Sequence, residues 1–461
     1  MADTIPSPQS YFGDISGEIE ERDMDDSAFD QEAANLPRSR SQTPDRLSDH
    51  LPPNLVGTTG DLFQCSVRDT LEREGLASGF TEDPFNHNCL PNYFQSVQLS
   101  GDGTTLLTHN ADSYLRTFVL PPDLLTSPPP RNLTPYSAVP STEPVYACAL
   151  YPFFDLSNPS TYLALSSPRD HPIRLSSLLP SESSTPTPPV ATYPLVSPTT
   201  EASSTPNSLL FNAFGSQFIA GARDLIAFFD ISRPYESPVR RLSTCPSRNH
   251  HPRAGGITGL VAALALSPVS DEGGSGLLAA GTYNRGVGLY DAGGLGESVA
   301  TWSLSSEKGD EAEPEIGGRG VTQLLWSPCG RYLCVAERDS DGMRIYDIRV
   351  SGKLLGWLKG RNAKGMQRLG VAMGVCEEKK QEGGGCGNDI WAGGKDGMVR
   401  MWEGVGLKEG GRSEDWRWKG HDDPVTSVAV HPRGGVVMSC SGQRHDEGDE
   451  ERDNRLKVWA L

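Results

Sequence analysis

Apolar and polar residues alternate in short runs along most of the chain, and turn residues separate the runs. The stretch from Leu324 to Asp347, LLWSPCGRYLCVAERDSDGMRIYD, contains three such runs, divided by a Ser-Pro-Cys-Gly turn and an Asp-rich turn. Alternation with a period of two between such turns is typical of β-strands. We therefore expect three short strands here, and a unit of three strands cannot bury both of its own faces.

The same pattern recurs seven times at an even spacing. Each unit has a third run that closes at a defined position, namely Phe118, Ser176, Phe229, Tyr290, Tyr346, Trp402 and Trp459. Successive closing positions are 53 to 61 residues apart. So even a period indicates a repeat array rather than separate domains. Small twisted sheets stacked radially would bury each other's faces and leave only short edges.

The repeat unit resembles that of the WD40 β-propeller. Asp or Asn precedes the closing aromatic residue by six positions in four units, at Asp112, Asn284, Asp396 and Asp453. The resemblance implies an all-β fold, a single seven-bladed WD40-type β-propeller. In the last unit it implies a buried hydrogen-bonded tetrad of His421, Asp453, Trp459 and a strand serine, either Ser439 or Ser441. Because a buried imidazole held by Asp and Ser stabilises a blade, we expect a structural role for the tetrad.

The last unit requires a strand from elsewhere in the chain. The sequence ends two residues after Trp459, in the third strand of that unit. We expect the segment Leu62–Arg68 (LFQCSVR) to supply the outer strand and so remove an open sheet edge. The predicted organisation is a disordered acidic and polar tail at 1–58 and a propeller at 59–461, in which 59–90 includes the ring-closing strand. Pro- and Ser-rich stretches around 121–143 and 180–207 are expected to be surface loops.

The composition of the chain argues against several classes of function. The formal net charge of -18 argues against a protein wrapped broadly in nucleic acid, although not against a local basic patch. The nine cysteines form no C-x-x-C pair, so we expect reduced intracellular thiols and no metal site. The N-terminus lacks the features of a signal peptide, and no apolar run is long enough to span a bilayer. We expect a soluble intracellular protein without a membrane partner.

The sequence contains no recognisable catalytic motif. G-x-x-x-x-G-K-[ST], H-E-x-x-H and G-x-S-x-G are all absent. The pair His250-His251 lies in the loop SRNHHPR without a third ligand nearby in sequence, which favours a solvated loop over a metal site. The prediction is a protein that is not an enzyme and has no cofactor and no small-molecule substrate.

Basic residues recur at one place in the repeat. Six of the seven units carry one at or near the turn between their second and third strands, namely Arg169, Arg223, Arg285, Arg338, Lys395 and Arg444. In a propeller these turns share one face, so the residues would form a ring of positive charge on an acidic protein. Guanidinium groups suit phosphates and bases because they donate hydrogen bonds in pairs and stack on rings. The alternative is that turns are simply polar and the six side chains point apart.

A closer resemblance covers roughly residues 90 to 461. The stretch NYFQSVQLSGDGTTLLTHNADSYLRTFVLPPDL (Asn92–Leu124) and the final HP…SGQR (His431–Arg444) are similar to the telomerase Cajal body protein family. The resemblance implies a propeller that binds small Cajal body RNAs, including telomerase RNA in animals, and directs their nuclear localisation or folding. The residues that match family positions are Arg169, Arg338, Gln367, Arg368, Gln443 and Arg444.

The expected function is therefore a non-catalytic scaffold for a small non-coding RNA or its ribonucleoprotein. Arg and Lys of the basic ring would hold phosphates, and Gln367 and Gln443 would read bases. The partners would be a small nuclear or Cajal body-type RNA, its ribonucleoprotein proteins and other proteins on the propeller faces. The resemblance implies a nuclear location and is compatible with an additional cytoplasmic pool. The alternative is a protein scaffold without RNA contact, acting in pre-mRNA splicing or G-protein signalling as fungal relatives suggest.

Overall fold

A computed structural model shows that the chain is built almost entirely of β-strands. It describes residues 52–75, 92–126, 130–180, 187–245, 256–268, 276–296, 298–304, 312–350, 352–375, 388–443 and 453–461. The predicted disordered tail therefore lies outside the described residues up to position 51.

Thirty strands are described. In the first half of the chain they are β1 (Asn54–Thr58), β2 (Phe94–Leu99), β3 (Thr105–Asn110), β4 (Leu115–Val119), β5 (Arg131–Asn132), β6 (Ser137–Val139), β7 (Val145–Leu150), β8 (Leu163–Pro168), β9 (Ile173–Ser177), β10 (Ala191–Tyr193), β11 (Ser208–Phe211), β12 (Gln217–Ala222), β13 (Leu225–Asp230) and β14 (Arg240–Ser243). In the second half they are β15 (Val261–Leu266), β16 (Leu277–Thr282), β17 (Gly286–Asp291), β18 (Ala300–Ser303), β19 (Val321–Trp326), β20 (Tyr332–Glu337), β21 (Ser340–Asp347), β22 (Leu354–Ala363), β23 (Val371–Val375), β24 (Asn388–Gly393), β25 (Met398–Trp402), β26 (Gly410–Arg412), β27 (Trp416–Lys419), β28 (Val425–Val430), β29 (Val436–Ser441) and β30 (Leu456–Ala460).

Helices are few and short. They are α1 (Val67–Arg73), α2 (Glu313–Ile316) and two 3₁₀ helices at Pro159–Thr161 and Ile348–Val350. No helix among the described residues is long and apolar enough to cross a membrane.

The strands form seven antiparallel sheets arranged in a ring. The sheets begin with β2, β7, β11, β15, β19, β23 and β28. These first strands contact one another in that order, and β28 contacts β2, so the ring closes. Each sheet buries apolar side chains against the next, as the radial stacking of the repeat predicts. The prediction of a seven-bladed all-β propeller is confirmed.

The repeat pattern identified the inner strands well. The stretch Leu324–Asp347 forms β19, β20 and β21, with the alternation of its side chains matched to the two buried faces. All seven closing positions lie in the third strand of their sheets.

The ring-closing strand was predicted in the wrong place. β1 pairs antiparallel with β30, with Leu55 opposite Trp459 and Thr58 opposite Lys457, so the outer strand comes from Asn54–Thr58. The segment Leu62–Arg68 instead forms a turn and the start of α1, where the Ser66 side chain accepts a hydrogen bond from the backbone N–H of Asp69.

The apolar residues of that segment are buried for a different reason. Phe63 is fully buried between the last and first sheets, with its ring centroid 4.8 Å from that of Phe94 and 6.3 Å from that of Phe118. It joins a core cluster that includes Met438 and Val458 of the last sheet. The segment packs into the interface between the two blades. Its buried residues therefore give the sequence an apolar pattern similar to that of a strand.

Outer strands also lie where loops were predicted. β6 and β10 are the fourth strands of the first two sheets, and they fall inside the Pro- and Ser-rich stretches 121–143 and 180–207. In addition, β5 pairs in parallel with β1, and β26 pairs in parallel with β22. β5 and β26 each come from a loop of the following blade and cover the outer edge of the preceding blade.

The alternating strand direction gives the ring two different faces. The turns between second and third strands and the linkers between sheets lie together on what we call the upper face. The loops between first and second and between third and fourth strands lie on the lower face.

Candidate functional site

The residues of the expected tetrad meet in the last blade. The Ser439 hydroxyl lies 2.7 Å from His421 Nε2 and accepts a hydrogen bond of 2.8 Å from Trp459 Nε1. His421 Nδ1 lies 3.3 Å from Asp453 Oδ2, and both side chains are buried. Burial lowers the pKa of His421, so a neutral ring that carries its proton on Nδ1 satisfies both neighbours. Ser439 is thus the tetrad serine, whereas Ser441 donates to the backbone carbonyl of Asp453.

The turn aspartates hold strand cations rather than a ligand. Asp112 pairs with Arg116 at 2.7 Å, Asp396 with Arg400 at 2.5 Å and Asp453 with Lys457 at 3.2 Å. Burial alone would raise the pKa of Asp396, but the hydrogen bond and charge of Arg400 outweigh it and lower the pKa to about 2. The same four-residue interval in three blades indicates a repeated structural lock.

The predicted basic ring is interrupted by acidic partners. Arg169, which is half-exposed, donates to Glu143 at 2.7 Å. Arg285 Nε donates to the buried Glu337 at 2.7 Å. These ion pairs reduce the attraction of Arg169 and Arg285 for an anionic ligand, because each carboxylate partly cancels the field of its arginine. A uniform ring of six free cations is not what the upper face presents.

The other ring positions differ from one another. Arg223 and Lys395 are exposed on the upper face and have no ion-pair partner among the described residues. Arg444 lies outside the described residues. The two predicted base readers already use their amide donors, since Gln367 Nε2 donates to the Gly442 carbonyl at 2.8 Å and Gln443 Nε2 donates to Asp423 at 3.3 Å.

Arginine side chains gather where the fourth, fifth and sixth sheets meet. The Arg338 guanidinium lies 4.2 Å from the ring centroid of Tyr283, a cation–π contact across two blades. Arg338 Nε also donates to the Arg319 carbonyl at 3.3 Å, and the exposed Arg319 side chain pairs with Asp339 at 3.0 Å.

Arg368 extends this group toward the centre of the ring. Its side chain reaches solvent but is surrounded by protein on several sides, and burial lowers its pKa. Arg368 belongs to the linker between the fifth and sixth sheets, but its guanidinium lies close to Tyr283 of the fourth sheet and Cys148 of the second. The guanidinium therefore points toward the central opening.

Two buried arginines lie beneath this group, and the sequence analysis missed both. Arg344 of β21 donates to Glu337, which also accepts from Arg285 and from the backbone N–H of Gly320. One buried carboxylate thus faces two guanidinium groups. Among the described residues, Arg361 of β22 donates to the carbonyls of Glu337 and Leu369, and burial lowers its pKa to about 10. An arginine inside an apolar strand run is the only sequence signal that marks either residue.

We call this set the arginine cluster. Its members are Tyr283, Arg285, Arg319, Arg338, Arg344, Arg361 and Arg368. Glu337 pairs with Arg285 and Arg344, and Asp339 pairs with Arg319. No group of three or more His, Cys, Asp or Glu side chains among the described residues is arranged to hold a metal ion.

Comparison with known proteins agrees with this architecture. The model of the WD domain, G-beta repeat, matches residues 413–460. The chain is a WD40-type β-propeller that resembles the telomerase Cajal body protein family. It is 24% identical to the Bos taurus Telomerase Cajal body protein 1 over 475 residues, covering 99% of this chain and 78% of that protein. The human protein of the same name is 25% identical over 376 residues, covering 78% of this chain and 60% of the human protein.

A relative with a different name is equally similar to the propeller. The Schizosaccharomyces pombe Guanine nucleotide-binding protein negative regulator 1 is 28% identical over 381 residues. That alignment covers 80% of this chain and 86% of the yeast protein. Similarity over the propeller is thus shared by proteins whose names describe different roles.

Proposed function

We propose that this propeller is a non-catalytic scaffold that binds a small non-coding RNA, or its ribonucleoprotein, on the upper face. The observation that carries the proposal is the arginine cluster, in which Arg338 and Arg368 reach the surface beside the Tyr283 ring on a chain whose net charge is -18. A local excess of positive charge on an acidic protein selects for an anion. Partly exposed guanidinium groups beside an aromatic ring suit a ligand with both phosphates and flat bases.

The exposed and the buried members of the arginine cluster would have different roles in binding. Arg319, Arg338 and Arg368 reach the surface and would contact the ligand. Arg344 and Arg361 are buried and would act through their charge and by fixing the backbone at Gly317 and Leu369. Arg223 and Lys395, exposed on neighbouring blades, would extend the contact along an RNA backbone.

The similarity to proteins named for telomerase and the Cajal body supports a nuclear role in localisation, folding or ribonucleoprotein assembly. In that role other proteins of the ribonucleoprotein would bind the remaining surfaces of the propeller. The proposal requires neither a cofactor nor a small-molecule substrate.

The second candidate is a protein scaffold that makes no RNA contact. The yeast relative named as a negative regulator of a guanine nucleotide-binding protein favours it, as do the ion pairs that offset Arg169 and Arg285. In this case the arginine cluster would bind an acidic segment of a partner in splicing or G-protein signalling.

The salt dependence of RNA binding tests the proposal. The purified full chain is titrated with the labelled small-RNA fraction of the cell at several salt concentrations. We expect Arg338→Ala to weaken binding and to reduce the slope of log K against log salt by about 0.7, as for one lost phosphate contact on a single strand. Arg331→Ala, an exposed arginine on the lower face of the same blade, should change neither quantity.

Competition distinguishes the two candidates. Poly-glutamate should displace the RNA only weakly if bases and phosphates are recognised together. If the chain binds poly-glutamate but no small RNA, or if both variants bind RNA as the wild type does, the proposal is wrong.

A further inference from the structure

Exposed hydrophobic side chains are concentrated on the face opposite the arginine cluster. Apart from Tyr146 and Met366, the large hydrophobic residues that stay exposed in the described part of the chain lie in or beside the loops of the lower face. Scattered exposed apolar residues are ordinary, but a contiguous group on one face of a soluble chain marks an interaction surface.

The densest part of this surface lies on the second and third blades. Phe153 is 53% exposed and Phe214 is 72% exposed. Tyr151 lies between them, with its ring centroid 6.0 Å from that of Phe153. Gly215, which follows Phe214, approaches Tyr151 so closely that a Cβ atom would lie 2.8 Å from the hydroxyl oxygen. We call Tyr151, Phe153 and Phe214 the aromatic patch.

Three carboxylates lie close to the aromatic patch. Asp102 accepts a hydrogen bond of 2.9 Å from the N–H of Leu156, three residues after Phe153. Asp155 lies beside it and accepts from Ser157. Asp230 precedes Ile231, whose N–H donates to Ser216, two residues after Phe214. Local hydrogen bonds outweigh burial and lower the pKa of Asp102, and hydrogen bonds from Ser232 lower the pKa of Asp230.

The exposed arginines in the lower loops of the third blade have other partners: Arg240 donates to the Gly293 carbonyl and Arg241 donates to the Val196 carbonyl. Arg233, in the following loop of the third blade, lies 3.9 Å from Glu236, so its charge is offset. The surface therefore combines exposed aromatic side chains with three neighbouring carboxylates. Such a surface repels nucleic acid and acidic peptides, and it suits a ligand that carries both apolar and basic groups.

We propose that the aromatic patch is the docking site for an extended segment of a partner protein in which aromatic or aliphatic anchors alternate with Lys or Arg. The anchors would pack on Phe153 and Phe214, and the basic groups would meet Asp102, Asp155 and Asp230. The propeller would then hold a protein on its lower face independently of what the upper face binds.

Selection of peptides on the immobilised full chain tests this proposal. A phage-displayed library of random peptides is selected, and the enriched peptides are synthesised and titrated against purified variants. Phe214→Ser removes an exposed side chain and should leave the fold intact. We expect enriched sequences to contain an apolar anchor with Lys or Arg, and Phe214→Ser to weaken their binding about tenfold or more, as for a central aromatic contact.

A matched variant and the charge pattern complete the test. Met366→Ser removes a side chain that is 60% exposed on the upper face and should leave peptide binding unchanged. Asp155→Asn should weaken binding of the same peptides and reduce its salt dependence. The proposal is overturned if no enriched peptide depends on Phe214, if enriched peptides lack basic residues, or if Phe214→Ser instead dissolves a dimer of this chain.

Discussion

At the scale of single residues, the partner of each arginine decides its role. Arg116 and Arg400 stand in third strands and pair with turn aspartates, so they stabilise blades. Arg338 lies against an aromatic ring instead, and Arg368 lies at the central opening with its charge beside Tyr283 and Cys148. The sequence shows all four as basic residues near turns. Only the position of the carboxylates separates a structural ion pair from a cation that an RNA would find.

A buried histidine in the first blade makes a prediction about pH. His109 of β3 is buried, and burial, together with the charge of Arg116, outweighs the charge of Asp112 and lowers its pKa to about 4. Because the unfolded chain takes up a proton near pH 6.5, protonation favours unfolding as the pH falls from about 6.5 to 4. We expect this residue to remove about 3 kcal/mol of stability between pH 7 and pH 4.

Urea unfolding at a series of pH values measures this contribution. His109→Gln should flatten the pH dependence relative to the wild type, whatever its effect at pH 7. If His109→Gln loses as much stability between pH 7 and pH 4 as the wild type does, the inference that His109 is buried and neutral is wrong.

At the scale of elements, the prediction from sequence was accurate where the repeat supplied a template. The strands from Leu324 to Asp347 follow directly from their alternation, and the even period fixed the number of blades. The ring-closing strand lies outside the repeat, so only the pattern of apolar residues in the sequence was available to locate it. Leu62–Arg68 mimics a strand because Phe63 and Cys65 are buried in a turn and helix start.

The candidate site was predictable only in part for a related reason. The upper-face turns and Arg338 could be found from the repeat, and Arg368 came from the family resemblance. The buried Arg344 and Arg361 could not be identified, because a strand pattern does not reveal which interblade carbonyls and carboxylates they meet. The offset of Arg169 and Arg285 likewise depends on Glu143 and Glu337, which come from other turns and strands.

The corrected position of the closing strand gives a testable element-scale prediction. A chain that lacks residues 1–51 keeps β1, whereas one that lacks residues 1–58 loses it. We expect the second to be less stable by about 4 kcal/mol, because four paired positions with β30 are lost at about 1 kcal/mol each. Chemical unfolding of the two truncated chains measures the difference. Equal midpoints would show that β1 does not hold the ring closed.

At the scale of the whole molecule, the two faces differ in chemistry. The upper face gathers positive charge between the fourth and sixth blades, and the lower face carries exposed aromatic residues flanked by carboxylates. The ring itself is rigid because each blade is covered by its neighbours and the last by the first. If both proposed sites are correct, the ring would hold an RNA and a protein on opposite faces.

The measurement that tests the central claim most directly is crosslinking of RNA to the full chain in cells, followed by sequencing. The wild type is compared with Arg338→Ala/Arg368→Ala on the upper face and with Arg331→Ala/Arg349→Ala, which removes the same charge from the lower face of the fifth blade. We predict that one class of small RNA is enriched by the wild type and by the lower-face variant and is lost from the upper-face variant, with unchanged melting temperatures. Equal enrichment by all three proteins, or none above background, would contradict RNA binding at the arginine cluster.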